Sequence, residues 1–175
     1  FDDDEIRTTY YPEVATLIRR FTGARRVVPY YHCRRSTDPT RQASGGVRNA
    51  IPLVHTDHAE NAIEELVAHY LPDEAETLLR GRTAVVQVWQ PSSRLVERRP
   101  LALCDAQSLA PKDMVMTTRV GTKPGKNLYH LFPNKKQKWY FFPRMTNEEA
   151  ILFKSDESAD DGRACAVPHC SFEDP

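Results

Sequence analysis

The sequence of 175 residues lacks long hydrophobic runs, an excess of charge of either sign, and a dense set of cysteines. Its apolar runs extend over only a few residues, far short of the roughly 20 that a membrane-spanning helix needs. Acidic and basic residues balance at 24 each, so no domain-wide positive charge is available to neutralise nucleic-acid phosphates or anionic lipid headgroups. We therefore expect neither a nucleic-acid nor a membrane partner.

The four cysteines form no CxxC pair and no dense cluster of the kind found in small secreted domains. Free thiols in a reducing compartment are the simpler interpretation. The start of the chain, FDDDE, is acidic where a secretory signal would be basic. A cytoplasmic location is therefore expected, and because Phe1 is not an initiator methionine, an N-terminal stretch is expected to be missing.

Short strands outnumber helices in the pattern of apolar residues. Helical spacing predicts helices over 11–21, 59–70 and 73–79, and Gly23 ends the first of them. The polar stretch 34–46 predicts a loop, which either closes over a site or is disordered. Strands are predicted over 25–32, 83–89, 100–105, 114–119, 127–132, 139–142, 151–154 and 164–169, the run at 139–142 being buried on both faces.

The chain has neither a βαβ rhythm nor a GxGxxG motif, so a mainly β fold with flanking helices is favoured over a doubly wound parallel sheet. Its length fits one domain with a proper hydrophobic core. A double-stranded β-helix, or jelly roll, is the expected core. Such a core can hold ligands from strands far apart in sequence while excluding water.

The stretch VHTDH, residues 54–58, points to a metal site. Alternate side chains of an extended segment share a face, so His55 and Asp57 point the same way and Thr56 points away. An imidazole and a carboxylate are two of the three ligands in a 2-His-1-carboxylate site for non-haem Fe(II). The third ligand would be a distant histidine. On its own the HxD tripeptide is a weak signal.

Five other histidines compete for the third position. His58 points away from Asp57 and is expected at a helix start or on the surface. His169 ends a predicted strand 112 positions after Asp57, which leaves room for several strands between them. The other three are expected to be structural or solvated: His32 and His130 in aromatic strand contexts, and His69 on a helix.

Beyond VHTD, the chain carries an ordered set of motifs from about Arg48 onward. They are Arg48-Asn49 before VHTD, VWQP at 88–91, PLALCD at 100–105 with Ser108, KWYFFPRM at 138–145, EEAILFK at 148–154, and PHCSFEDP at 168–175. In order and spacing this set resembles the AsaB-type hydroxylase/desaturases of fungal and bacterial secondary metabolism. That family belongs to the Fe(II)/2-oxoglutarate-dependent oxygenases.

The resemblance implies that His55, Asp57 and His169 bind Fe(II), with 2-oxoglutarate and dioxygen as co-substrates. It implies hydroxylation, desaturation or cyclisation of a small organic substrate, resembling a secondary metabolite or an amino acid, by abstraction of hydrogen from a C–H bond. Residues 1–175 would then be a single oxygenase domain that lacks its N-terminal end and its C-terminal strand or strands.

Family members continue past the closing Asp-Pro into a strand with an Arg-x-Ser, whose arginine is expected to pair with the distal carboxylate of 2-oxoglutarate. Arg163 and Arg48 are the replacements within this chain. Each also has a simpler interpretation, as an arginine of an exposed turn and as a salt-bridging residue respectively.

Two other functions stay open from the sequence. One is a non-haem iron oxygenase that uses dioxygen without 2-oxoglutarate. The other is a non-catalytic binding module of jelly-roll shape, with histidines used structurally or for zinc. The sequence does not specify the substrate or the oligomeric state.

Overall fold

The computed structural model describes residues 2–43, 45–92, 94–121 and 124–173. Asp174 and Pro175, the end of the PHCSFEDP motif, lie outside the described residues. The backbone divides into two compact units, Phe1–Cys33 and Arg34–Pro175. The expectation of a single oxygenase domain stays a prediction.

The first unit is helical. Helix α1 (Asp3–Glu5) leads through a π-helical turn (Ile6–Tyr10) into helix α2 (Tyr11–Thr22). The helix predicted over 11–21 is thus confirmed. It ends at Gly23, which adopts a left-handed conformation with φ 70° and donates its backbone N–H to the carbonyl of Arg19 at 2.9 Å.

The strand predicted over 25–32 is wrong, because the described backbone joins no β-sheet there. Pro29 removes a backbone donor from the middle of this run. The His32 imidazole bonds to the α2 hydroxyl of Tyr11 at 2.9 Å and to the carboxylate of Asp3 at 3.3 Å. These side-chain contacts hold the segment where strand pairing was expected.

The described part of the second unit contains the sheets and three further α-helices. Helices predicted over 59–70 and 73–79 are present, the second beginning with a 3-10 turn, and the stretch predicted as a loop contains β1 and α3. In chain order the elements are β1 (Arg34–Arg35), α3 (Pro39–Ala43), β2 (Val47–Arg48), α4 (Ala62–Tyr70), α5 (Ala75–Leu79), β3 (Ala84–Trp89), β4 (Leu101–Cys104), β5 (Met114–Thr118), β6 (Asn127–Leu131), β7 (Trp139–Phe141), β8 (Ile151–Glu157) and β9 (His169–Ser171).

The longer strands pair antiparallel. β3 pairs with β8, β4 lies between β7 and β9, and β5 pairs with β6. Single bridges from His55 to His130 of β6 and to His169 of β9 join the last two groups side by side. The short strands β1 and β2 pair parallel. The expected antiparallel sheets with few helices are confirmed.

A hydrophobic cluster fills the space beside β4 and β8. Its buried members are Leu101, Met145, Ile151 and Phe153, with Trp89, Val96, Leu103 and Val167 packed against them. Along β8, residues alternate between buried and half-buried, so one face of this strand forms part of the core.

The prediction that residues 139–142 are buried on both faces is wrong. Trp139–Phe141 does form a strand, but the side chains of Tyr140 and Phe142 are more than half exposed. In the strand order β7 is an edge, so among the described strands none pairs with its outer side.

None of the four cysteines forms a disulfide in the described structure, as predicted. Of the helices that the structure describes, none has the length and apolar character needed to cross a bilayer.

Candidate metal centre

The VHTDH segment is extended but is not a regular strand. His55 exchanges both backbone hydrogen bonds with His169 of β9, at 3.1 and 2.9 Å. The next residue, Thr56, donates its N–H to the carbonyl of Tyr129 on β6 at 2.9 Å. The segment is therefore held between β9 and β6, and side chains from both neighbours lie beside those of His55 and Asp57.

His169 reaches this position because the chain changes the strand to which it hydrogen-bonds just before this residue. Val167 donates its N–H to Lys154 of β8 at 2.9 Å, whereas the carbonyl of Pro168 accepts from Cys104 of β4 at 2.8 Å. The chain thus passes from β8 to β4 within two residues. The strand predicted over 164–169 is wrong, because the regular strand begins only at His169.

The side chains of His55, Asp57 and His169 converge. Each offers one ligand atom, and these three atoms lie within 4.8 Å of one another. The Nε2 of His55 is 3.7 Å from Oδ1 of Asp57, and the Nε2 of His169 is 3.3 Å from Oδ2. Both histidines are buried. The expectation that His55 and Asp57 share a side is confirmed.

The tautomer of each imidazole follows from its hydrogen bond. The Nδ1 of His55 lies 2.7 Å from the carbonyl of Leu53, and that of His169 lies 3.1 Å from the carbonyl of Val167. A carbonyl oxygen only accepts, so in both rings Nδ1 carries the hydrogen and donates. In the neutral rings both Nε2 atoms then present lone pairs toward the carboxylate of Asp57.

Burial and neighbouring charge set the ionisation of the centre. Burial alone would raise the pKa of Asp57, but the adjacent His169 ring, which donates to this carboxylate and carries charge when it is protonated, and the Gln87 amide hold the pKa of this carboxyl well below its usual range. Burial, together with the nearby His169, lowers the pKa of His55. At neutral pH the centre therefore offers an ionised carboxylate beside a neutral imidazole of His55.

Two donors to Asp57 were not predicted from the sequence. The Nε2 of Gln87 on β3 donates to Oδ2, and the Nη2 of Arg119 lies 3.3 Å from Oδ1. They are 30 and 62 positions from Asp57 in the chain, and no local pattern links a glutamine in an apolar strand to a remote carboxylate. Only the pairing of the sheets brings these residues together.

The remaining histidines are arranged differently. His130 bonds through Nδ1 to the carbonyl of Val54 at 2.9 Å, in keeping with a structural imidazole, and His69 is exposed as predicted. The expectation that His58 lies at a helix start or on the surface is wrong. Its ring is buried against Gly125, which has φ +63°, and a Cβ there would lie only 3.0 Å from His58 Nδ1.

The two predicted arginines lie elsewhere. Arg163 forms an ion pair with Asp161 in an exposed turn, and because residues 164–168 are not a strand it does not share a strand face with His169. Arg48 is exposed on β2, where its carbonyl accepts from the backbone of Ser36 at 2.9 Å.

The donor set fits a divalent cation. Two imidazole Nε2 atoms and a carboxylate face one another at 3.3 to 3.7 Å, and when the rings are neutral such acceptors repel unless a proton or a metal ion lies between them. These are the ligand types of a 2-His-1-carboxylate Fe(II) site. In the described part of the chain, this is the one group of three His, Cys, Asp or Glu side chains close enough to share an ion.

Comparison with known proteins gives consistent matches. A family model described as "Oxidoreductase/YMDC permease-like domain" matches residues 1–175. A hydroxylase/desaturase of Cercospora beticola is 32% identical over 187 residues, covering 95% of this chain and 57% of the relative. The hydroxylase/desaturase asaB of Aspergillus flavus is 36% identical over 119 residues, covering 58% of this chain and 51% of the relative.

Among solved structures, the iron and alpha-ketoglutarate-dependent endoperoxidase NvfI superposes with a TM-score of 0.87 at 28% identity. The match covers 97% of this chain and 62% of NvfI, so the chain spans somewhat over half the length of these relatives. The motifs, the fold and the matches agree: the chain belongs to the oxidoreductase family that this model describes, together with the AsaB-type hydroxylase/desaturases and Fe(II)/2-oxoglutarate-dependent dioxygenases.

Proposed function

We propose that the protein is a non-haem Fe(II)/2-oxoglutarate-dependent dioxygenase that hydroxylates, desaturates or cyclises a small organic substrate. The observation that carries this proposal is the convergence of two imidazole Nε2 atoms, each oriented by a bond from its Nδ1, and one ionised carboxylate on a single point. Related proteins named as alpha-ketoglutarate-dependent dioxygenases support the choice of co-substrate.

We infer that a double-stranded β-helix surrounds this point. One of its sheets would be the β3–β8 pair, and the other would consist of the joined β7-β4-β9 and β5-β6 strands. The passage of the chain from β8 to β4 at Val167–Pro168 supports this inference. So does the reach of Gln87, from the β3–β8 pair, to Asp57 beside β9. A jelly roll places such residues on facing inner surfaces.

In this proposal His55, Asp57 and His169 would hold Fe(II). When bound, Fe(II) with 2-oxoglutarate and dioxygen supplies the oxidising power to take hydrogen from an unactivated C–H bond. The chain supplies orientation. Each Nδ1–H donates to a backbone carbonyl and so fixes its ring. The Phe153 ring packs in a T-shaped arrangement with the His169 ring, their centroids 4.9 Å apart, and adds apolar surface beside the centre.

An anionic co-substrate needs a cation nearby, because an unpaired carboxylate is costly in a site with little water. Arg163 and Arg48 were the expected candidates. We favour Arg119 instead, because its guanidinium already lies against Asp57 and its side chain is 48% exposed, free to turn toward an incoming anion.

The test combines metal binding with turnover. Anaerobically purified protein should bind one Fe(II), and with 2-oxoglutarate and oxygen it should form succinate; His55→Ala should lose both, whereas His69→Ala, on an exposed helix surface, should keep both. Iron-dependent oxygen consumption that does not need 2-oxoglutarate would instead support the oxygenase that works without it. Absence of stoichiometric metal binding would support the non-catalytic module.

A small-molecule substrate follows from the proposed chemistry, and its identity is to be found by screening. A cytoplasmic location stays a prediction; cysteines that form no disulfide are compatible with it.

A further inference from the structure

Gln87 connects the β3–β8 pair to the metal centre. Its Nε2 donates to Oδ2 of Asp57 and to the hydroxyl of Ser155 on β8, the second at 2.8 Å. Both hydrogens of the amide nitrogen therefore have acceptors. The amide is a bridge between a strand of one sheet and the carboxylate that follows His55 beside the other.

Ser155, which accepts the second hydrogen bond of the Gln87 amide, is itself held firmly in the fold. Ser155 is one of the most buried side chains in the described chain, at 1% exposure. Gln87 and Phe153 are register partners on β3 and β8, and Phe153 in turn packs edge-on against the His169 ring. One strand pair thus supports two members of the triad, Asp57 through a hydrogen bond and His169 through an apolar contact.

This support differs from that of the other donor. Arg119 reaches Asp57 from the exposed side, on a long side chain that is half in solvent. Such a group loses much of its hold to water and salt. The Gln87 side chain is shorter than that of Arg119 and half-buried, and its amide makes two hydrogen bonds. It is therefore the fixed contact, and it occupies one oxygen of the carboxylate.

A donor at one carboxylate oxygen uses one of that oxygen's lone pairs and fixes the orientation of the group, which favours cation binding through the other oxygen alone. Binding through both would occupy a further position on the cation, one that a co-substrate or dioxygen would need. We propose that Gln87 is a positioning residue that holds Asp57 for coordination through a single oxygen. The inference rests on the proposed metal site and adds a residue that governs its open positions.

The experiment uses Co(II) as a spectroscopic probe of the purified, metal-free protein. Co(II) affinity is measured by titration, and the visible absorption of the complex reports its coordination number and geometry. The variants are Gln87→Met, which keeps the length and removes the donor, Gln87→Glu, which replaces the donor by a second acceptor, and Ser155→Ala, which removes the anchor. Gln90→Ala, whose amide bonds to the exposed carbonyl of Asn147, is the matched control.

We expect Gln87→Met to weaken Co(II) binding about 10- to 100-fold, as loss of a group that orients a metal ligand does elsewhere. We also expect its Co(II) spectrum to change. Ser155→Ala should give a smaller loss in the same direction, and Gln90→Ala none. A change in spectrum is the decisive readout, because a general loss of stability would not alter the ligand field of the protein that remains folded.

Three outcomes separate the claims. If wild type does not bind Co(II), the metal site and this inference both fall. If wild type binds and the folded Gln87→Met protein binds with the same affinity and spectrum, only the role of Gln87 falls. Should Gln87→Met not fold, Gln87→Glu and Ser155→Ala decide, and wild-type spectra and affinities in both would overturn the role.

Discussion

The imidazoles of His55 and His169 are oriented by the same local contact, a hydrogen bond from Nδ1 to the carbonyl two residues earlier in the chain. Each ring is therefore held by its own extended segment, and the two Nε2 atoms are brought together by the backbone pairing of those segments. This leaves Asp57 to supply the negative charge of the triad.

Asp57→Asn should weaken divalent cation binding by more than about 100-fold, because it keeps the shape of the side chain and removes the charged ligand oxygen. Co(II) or Fe(II) titration of the metal-free protein measures this. Asp161→Asn is the matched control, since that exposed carboxylate pairs with Arg163 in a distant turn. Unchanged affinity in Asp57→Asn would contradict the assignment of the ligand.

Arg119→Gln should have opposite effects on two ligands. Its positive charge competes with a cation for Asp57, so the variant should bind Co(II) about 2- to 5-fold more tightly, a modest effect because the side chain is half exposed. The metal-loaded variant should bind 2-oxoglutarate more weakly, measured by calorimetry. Arg80→Gln, in an exposed pair with Glu76, should change neither. Equal 2-oxoglutarate affinity would return Arg163 and Arg48 to consideration.

The pH dependence of cation binding follows from the buried ring. Burial lowers the pKa of His55, so this ligand stays neutral to pH values below the 6.5 of an ordinary histidine. Asp57 remains ionised throughout this range because its pKa is depressed. Competition by protons at His55 should therefore appear only below about pH 6.5, and Co(II) titrations at pH 5 to 8 measure it. A decline that is already complete at pH 7 would show that the ring is more solvated than its burial indicates.

At the scale of elements, the β3–β8 pair contributes to two parts of the structure. Its inner face supports the metal centre, and its far end carries an ion-pair cluster. There, Glu157 accepts from Arg82 at 2.6 Å and from Lys154 at 2.8 Å. The Glu157 side chain is 3% exposed. If Glu157 lost its charge, its buried side-chain oxygens would be weaker partners for the cations of Arg82 and Lys154.

The bond from Arg82, against the opposing effect of burial and with help from Lys154, lowers the pKa of Glu157 from 4.5 to about 2. A carboxyl whose folded pKa is depressed adds stability above its unfolded pKa and loses it as the pH falls to the folded value. Glu157→Gln should therefore cost about 2 kcal/mol at pH 7, with allowance for the exposure of Arg82.

Urea unfolding at pH 7 and at pH 2 to 5 measures this effect. The wild-type protein should lose stability between about pH 4.5 and pH 2, and the variant should lose less. Glu76→Gln is the control, because that carboxylate pairs with Arg80 at an exposed helix surface and should alter stability by only a few tenths of a kcal/mol. Parallel pH curves for wild type and Glu157→Gln would contradict the prediction.

Local pattern accounts for the elements that the sequence predicted well. Helix α2 has apolar residues at helical spacing and a glycine at its end, and β3 is rich in valine and ends in a tryptophan. The strands predicted over 25–32 and 164–169 failed because strand formation depends on a partner that sequence does not reveal. Residues 25–32 have Pro29 and no partner among the described strands, and at Val167–Pro168 the chain changes partner.

The candidate site divides in the same way. HxD is local, and its pairing with His169 was reached through the resemblance of ordered motifs. Gln87, Arg119 and the buried position of His58 depend on contacts 30, 62 and 67 positions apart in sequence, for which single-sequence reasoning has no signal. The edge position of β7, which exposes Tyr140, likewise follows only from the strand order.

At the scale of the molecule, the centre lies where separate parts of the second unit meet. His55 is held between β6 and β9, His169 begins β9 just after the chain leaves β8, and Gln87 reaches in from β3. A cation bound here would cross-link segments that are more than a hundred positions apart. Binding and folding stability are then coupled, because the unfolded chain has no such site.

Removal of metal should therefore lower the stability of the whole second unit. At a free cation concentration about 100 times Kd, binding adds about 2.7 kcal/mol, which corresponds to a rise in Tm of about 5–10 °C for a chain of this size. Scanning calorimetry with Co(II) or Mn(II), and then with a chelator, measures the difference. His169→Ala should abolish the rise, whereas His69→Ala should retain it, because that histidine lies exposed on α4. A rise in Tm that survives in His169→Ala would mean that the cation binds elsewhere. In that variant a cation at the proposed site could no longer link the segment of His55 to the segment of residue 169.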